Sequence, residues 1–365
     1  MGALASRVRR RTGSPAIDRT AASRSTRIVR RLERLGTPVS FLLLVVLVPL
    51  LPARLLLPAN ALWVDVFSSF AVQGALLALL AAAVLALCGR RLRALAFLSL
   101  LVPDLATELP ALLGDRPAGR PLGRVYAAKL GQRPGAVRAA ARQLERLDPD
   151  IVWLSEFPED LDPEVAAAFA AVEQGYPFGL SWPATEGRSL RFLSRFPLRA
   201  REEFNPDQAP GRPALRLLLD VGGAPLVVVA LHTHPPMADW ALGARNEALD
   251  WAGRMAAAAS GDVLLLGDLN TSAFSPRFAR LVRRSGLDCA SPLVCSVASW
   301  PAQLPFLLTP IDHVLVGGDL VVTRRRRAPA TGSDHFPVVA DLARRSPAKA
   351  AGSPARPAAA RTRTY

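Results

Sequence analysis

Val263-Leu264-Leu265-Leu266-Gly267-Asp268-Leu269-Asn270 is an apolar run that ends in a glycine, a carboxylate and an amide. A short continuous apolar run closed by a turn signal reads as a strand buried on both faces. Its polar residues then fall at the strand end, where a sheet opens to solvent. The pattern recurs along the chain. Ile151-Val152-Trp153-Leu154 ends at Ser155-Glu156, and Leu226-Val227-Val228-Val229-Ala230-Leu231 ends at His232. Ile311-Asp312-His313 opens another apolar run, and Ser333-Asp334-His335 precedes Val338-Val339-Ala340. All four histidines of the chain, His232, His234, His313 and His335, lie in these motifs. Polar groups from several strand ends meeting at one sheet rim are how a scaffold holds a reactive constellation rigidly.

Outward from these motifs, strands are expected at 122–128, 151–154, 189–193, 214–221, 226–232, 263–266, 313–316 and 338–342, and helices at 134–147, 239–259 and 276–285. Hairpin-like connections such as Gly222-Gly223 argue against a purely parallel sheet. The expected fold is α+β, a four-layer α/β/β/α sandwich of two packed mixed sheets. There is no internal repeat, no glycine-rich phosphate loop and no Cys/His zinc spacing.

The first third of the chain is different. Residues 39–57, 66–88 and, less cleanly, 94–113 are apolar for about the 20 residues that a spanning helix needs, giving three expected transmembrane helices. Pro49, Pro52 and Arg54 interrupt the first, which could be bent or an anchor. Asp104 and Glu108 share one face of the third, where they must meet protein or lie near headgroups. The domains expected are a basic, disordered cytoplasmic tail over 1–36, a membrane domain over 37–114, a catalytic domain over 115–342 and a basic, disordered Pro/Ala-rich tail over 343–365.

The formal charge of +15 resides in the tails: residues 1–36 carry +8 and residues 343–365 carry +6, leaving the body nearly neutral. That distribution argues against duplex nucleic acid as partner, because such binding needs several basic phosphate contacts. Arg324-Arg325-Arg326-Arg327 is the one cluster in the body that speaks the other way. The arginines before the first span place the N-terminus inside, so three spans put everything after about residue 115 outside the cytoplasmic membrane. Cys289 and Cys295 could then pair in an oxidising compartment or remain two thiols.

With Asp148-Pro149-Asp150 running into Glu156, and Leu193-Ser194-Arg195-Phe196-Pro197-Leu198, the ordered motifs resemble the endonuclease/exonuclease/phosphatase family of metal-dependent phosphoesterases. The resemblance covers about 122–342. It implies that Glu156 is an acidic ligand of Mg²⁺, or alternatively Mn²⁺, and that Asp334 helps define the metal site. It implies that His232 hydrogen-bonds the phosphate, that Asp268 orients or deprotonates the attacking water and that Asn270 helps hold phosphate and nucleophile. Asp312 would fix and charge His335, the central histidine of phosphoryl transfer. His234 either assists at the phosphate or forms part of the pocket rim, and His313 is structural.

One position departs from the family pattern. Where the first strand normally ends in asparagine, Val125-Tyr126-Ala127-Ala128-Lys129 places Lys129, which could bind substrate phosphate as a point charge or repel the metal from Glu156. The architecture is similar to membrane-anchored actinobacterial members associated with glycopeptide-antibiotic resistance. The expected function is a multi-pass, membrane-anchored Mg²⁺-dependent phosphoesterase at the outer face of the cytoplasmic membrane, with membrane lipid as partner and a phosphate monoester, diester or diphosphate, lipid-linked in the fullest version, as substrate. An anchored nuclease and a weakened binding or sensing protein of the same fold are the alternatives. Segments 204–211 and 290–310, expected to set specificity, have no readable signature, and no protein partner is implied.

Overall fold

The computed structural model describes residues 43, 47, 62–115, 117–183, 189–206 and 212–345. The basic tail 1–36, nearly all of the first expected span and the C-terminal tail beyond 345 lie outside the described residues.

Eleven strands are described: β1 Arg120–Lys129, β2 Ile151–Phe157, β3 Phe178–Trp182, β4 Ser189–Ser194, β5 Leu198–Phe204, β6 Ala214–Val221, β7 Ala224–His232, β8 Asp262–Asp268, β9 Asp312–Gly317, β10 Leu320–Arg327 and β11 Val338–Arg344. They form one sheet in the order β10-β11-β1-β2-β4-β3 and a second in the order β5-β6-β7-β8-β9. Both sheets are mixed, since β1 runs parallel to β2 and β7 parallel to β8 among otherwise antiparallel pairs.

Alternation along the strands builds the layers, because successive side chains point to opposite faces. Val125, Ala127, Ile151 and Trp153 of the first sheet meet Leu226, Val228, Leu264 and Leu266 of the second in a shared core. Their neighbours Tyr126, Val152 and Leu154 face outward onto helices α5 (Pro134–Leu147) and α6 (Pro163–Glu173). Val227, Val229 and Leu265 face α7 (Asp239–Ala258) and α8 (Pro276–Ser285). The result is two packed mixed sheets flanked by helices.

Among the described residues four helices precede the sandwich: α1 Leu62–Ser68, α2 Ala71–Leu87, α3 Arg91–Ser99 and α4 Val102–Leu113. Among the described residues no single helix is long and apolar enough to cross a membrane; α1 with α2, bent by 67°, and α3 with α4, bent by 56°, reach that length and composition only as pairs. Pro103 sits in the first turn of α4 and lacks the N–H that would continue α3. The packing of α2 is inverted relative to a water-soluble helix: Ala71, Gly74, Ala78, Ala81 and Ala82 are buried, whereas Leu76, Leu80, Val84 and Leu87 are exposed. Glu108 is buried and accepts a hydrogen bond from the backbone N–H of Leu293 at 3.1 Å, so α4 is tied to the short helix α9 (Pro292–Cys295).

Candidate active site

Strand parity and register assemble the centre of the site. His232 continues the inward series Leu226, Val228, Ala230; Asp268 continues Leu264, Leu266; Asp312 precedes Val314, Val316. His232 is directly paired in register with Asp268, and Asp268 with Asp312, so the three stand side by side on β7, β8 and β9 where the shared core ends. Gly267 permits this approach: a Cβ there would lie 1.8 Å from the carbonyl oxygen of Leu231.

The loops add the remaining polar groups. Glu156 and Asn270 adopt left-handed backbone with φ of 50° and 45°. This conformation is costly for a residue other than glycine and cheaper for asparagine. At Glu156 it accompanies the register break between Leu154 and Phe157. Asn270 turns back so that its N–H donates to Asp268 Oδ1 at 3.0 Å and its amide Nδ2 donates to the Thr233 carbonyl at 2.8 Å.

His335, just before β11, donates Nδ1–H to Asp312 Oδ2 at 2.7 Å and presents Nε2 3.9 Å from Asp268 Oδ2. Burial works against a charge on His335, but the Asp312 and Asp268 carboxylates outweigh it and raise its pKa. Burial pushes the Asp268 carboxyl up to about 6, reinforced by Asp312 and opposed by His335 and Lys129. Asp312 is equally enclosed, yet its contact with His335 holds its pKa below the usual carboxylate range. A basic imidazole and a carboxyl titrating near neutrality therefore share one wall of the pocket.

Two cations face that wall. Lys129 Nζ lies 3.3 Å from Asp334 Oδ2, 3.7 Å from Glu156 Oε2 and 3.3 Å from His335 Nε2. Burial would discharge it, but Asp268, Glu156 and Asp334 together raise its pKa. Arg212, at the entry to β6, donates from Nη1 to His232 Nε2 at 3.0 Å and to the Thr233 carbonyl at 2.8 Å, while Nη2 lies 3.6 Å from Glu156. Nothing in the motifs had marked Arg212; its one signal was a charge at the head of an apolar strand.

These contacts bear directly on the metal. Glu156 and Asp334, the ligands implied by the family resemblance, are both engaged by the Lys129 ammonium and do not fit a divalent ion while it is there. Among the described residues, Asp268, Asp312 and His335 are a group that could hold one, with ligand atoms within 4.8 Å of one another. Asp268 Oδ2 fits the part best, being buried without a hydrogen-bond partner.

The site opens into a cavity of about 350 Å³ whose lining joins Lys129, His232 and His335 to Val66 and Phe70 at the junction of α1 and α2, and to Met237 and Trp300. Val66 and Phe70 come from a segment read in the sequence as membrane-spanning, so no pattern pointed to them as pocket residues. The polar hook beside them is Asp65, buried and paired with the fully buried Arg245.

The two other histidines each pack on an aromatic ring. β7 ends at His232, Pro235 and Pro236 beyond it line the pocket, and the His234 ring stands edge-on to Trp240 with centroids 5.4 Å apart. His313 points to the opposite face of β9, donates Nε2–H to the Thr271 carbonyl at 2.9 Å and packs on Phe278. Burial depresses its pKa to about 4. Cys289 and Cys295 form a disulfide that closes the segment around α9.

Solved structures to which the chain is similar include an endonuclease/exonuclease/phosphatase from Beutenbergia cavernae, 19% identical over 62% of this chain and 72% of that one, with a TM-score of 0.47. Sphingomyelinase C from Streptomyces griseocarneus is 18% identical over 60% of this chain and 98% of that one, with a TM-score of 0.44. D. rerio TDP2 complexed with single strand DNA product is 13% identical over 60% and 98%, with a TM-score of 0.49. No curated protein matches the chain. The sequence model of the Endonuclease/Exonuclease/phosphatase family matches residues 125–335, from the inward-facing Val125 of β1 to the histidine that Asp312 holds. That match takes in more than half of the sequence and every polar strand end described above, and the chain belongs to the endonuclease/exonuclease/phosphatase family.

Proposed function

We propose that this protein is a membrane-anchored phosphoesterase that hydrolyses a phosphate or diphosphate ester whose apolar part lies against α1 and α2. The carrying observation is the row His232, Asp268 and Asp312 in register on adjacent strands, with His335 donating to Asp312 at 2.7 Å. A phosphoryl transition state needs cations or donors facing its negatively charged oxygens and an aligned water, with little covalent help from the protein.

Each residue has a part in that scheme. Asp312 fixes the His335 ring and stabilises its charge, so that Nε2 serves as a donor to phosphate. Asp268 accepts the proton of the attacking water, and the Asn270 turn keeps its carboxylate oriented. His232 accepts from Arg212 and thereby steadies the guanidinium, which carries the donors on that side. Lys129 is a second phosphate partner. A divalent ion, Mg²⁺ or Mn²⁺, held by Asp268 with His335 and Asp312 beside it, would supply Lewis-acid neutralisation of the phosphate oxygens.

Support for a membrane location comes from the outward leucines of α2, which form the kind of apolar face that marks a membrane or interaction surface. The disulfide favours an oxidising compartment, in keeping with an extracytoplasmic sandwich. Val66 and Phe70 support a lipid-linked substrate, since they set the apolar helices against the same cavity as Lys129 and His335. A nuclease reading has less to stand on. Arg325 of the basic cluster is turned inward, with its guanidinium donating to the Val294 and Val314 carbonyls at 3.0 and 2.7 Å, and Arg327 lies over the Phe336 ring.

The test is phosphate or headgroup release by the full chain in detergent from polyprenyl phosphates and diphosphates, phospholipids, inositol phosphates and DNA, each with Mg²⁺, Mn²⁺ or chelator. Turnover of a lipid-linked phosphate is expected. Salt-sensitive DNA cleavage without turnover of any lipid would replace this reading with the nuclease one. Lys129 lends support to a third reading, a binding protein with weakened turnover. That reading would prevail if only Lys129→Asn were active.

A further inference from the structure

Glu156 and Asp334 present two carboxylates at the mouth of the site, and each already has a fixed cation. Lys129 is the last residue of β1, opposite Ser155 in the parallel pairing with β2, so its side chain starts from a rigid strand between the two acids. Its ammonium is 3.3 Å from Asp334 and 3.7 Å from Glu156, and Arg212 lies 3.6 Å from the other Glu156 oxygen. The Lys129 side chain is 15% exposed and that of Arg212 is 7% exposed, so solvent screens neither strongly. Two negative and two positive charges therefore balance within one small cluster.

A divalent ion cannot be added to that cluster cheaply. Mg²⁺ draws in carboxylate oxygens to about 2.1 Å and keeps several waters, which requires both the room and the charge that Lys129 has taken. An ammonium makes a compact point charge, and here it stands between two carboxylates, Asp334 at 3.3 Å and Glu156 at 3.7 Å. We propose that Lys129 is the resident cation of the Glu156–Asp334 site in place of a divalent ion, so that the protein takes at most the single ion that Asp268 would hold. The consequence is a pocket with one permanent and one exchangeable positive centre. Substrate turnover is not needed for this inference, which concerns ion occupancy alone.

The experiment counts bound Mn²⁺ per chain, by electron paramagnetic resonance of the free ion, on full-length protein stripped with chelator and kept in detergent. The parent is expected to bind no more than one ion, with the number unchanged by Glu156→Gln and by Lys129→Arg. Lys129→Asn should bind one ion more than the parent, and adding Glu156→Gln to it should remove the extra ion. Loss of a bound ion from the parent on Glu156→Gln would overturn the proposal. So would a Lys129→Asn protein that melts like the parent and binds the same number of ions. The Glu156→Gln comparison keeps Lys129 in place and decides the matter even if the asparagine variant fails to fold. Hydrolytic activity enters none of these outcomes, so their failure is distinct from failure of the proposed function.

Discussion

Arg245 of α7 is ion-paired with Asp65 of α1, both buried, and the same guanidinium nitrogen donates to the Asn270 carbonyl at 2.9 Å. Asp65 also accepts from Thr271 Oγ at 3.1 Å and from the Ser275 hydroxyl. The apolar helices are thereby hooked onto the turn that orients Asp268. Removing one partner of a buried pair leaves the other charge uncompensated, at a cost of about 3–5 kcal/mol. Asp65→Ala is expected to lower the unfolding temperature markedly and reduce turnover. Thermal unfolding in detergent checks this, and Asp65→Leu with Arg245→Met should recover most of the lost stability because no lone charge remains.

Val66 offers a way to separate binding of the apolar part from chemistry at the phosphate. It lines the cavity from α1 and is not part of the strand-end row His232, Asp268 and Asp312. Burying a valine side chain contributes roughly 1.5 kcal/mol, which is about tenfold in affinity. Val66→Asp should therefore raise KM for a long-chain polyprenyl phosphate by about tenfold or more, with a much smaller effect on a short water-soluble phosphoester. Equal changes for the two substrates would remove the apolar wall from the binding site.

His313 should make the fold sensitive to acid. Its pKa falls from the ordinary 6.5 to about 4 because burial disfavours the charged ring. Below pH 6.5 the unfolded chain takes up a proton that the folded chain refuses, so the unfolded state binds more protons and stability falls as pH drops towards 4. The full loss is about 3 kcal/mol on the scale of 1.36 kcal/mol per pH unit. Denaturant unfolding between pH 7 and 4 is expected to show this decline, and His313→Gln should flatten it; an unchanged slope in the variant would assign the acid sensitivity elsewhere.

The interior of the sandwich was legible in the sequence because continuous apolar runs and their polar ends are strong signals. Ala214–Val221, Pro134–Leu147 and Pro276–Ser285 begin and end where the pattern places them. The strands that escaped were β3, β5 and β10, all at sheet edges. β5 carries Arg199, Arg201, Glu202 and Glu203, mostly exposed, as edge strands do when they avoid further pairing. In β10 the four consecutive arginines hid a strand and read as a basic surface cluster. Helix α6 lies outside the expected elements although Asp162 caps it and Pro163 opens it.

The site divides along the same line. Residues at strand ends, from Glu156 to His335, could be picked out because a polar group after an apolar run is conspicuous. Arg212, Val66, Phe70 and Trp300 come from loops and from the preceding helices, where no period relates them to the motifs. His234 shares the strand parity of His232 but lies beyond the end of β7, where it packs on Trp240. The identity of Lys129 was visible from the start, but its position between Glu156 and Asp334 became clear only when β1, β2 and the loop before β11 were brought together.

The central claim is hydrolysis of a lipid-linked phosphoester by Asp268 and His335. Its most direct test is phosphate release from a polyprenyl diphosphate by the full chain beside Asp268→Ala and His335→Ala, with folding of each variant verified by its unfolding temperature. Each substitution should lower kcat by at least about 10²-fold, the scale for losing a positioned proton-transfer group. Release that continues unchanged in both folded variants would contradict the account.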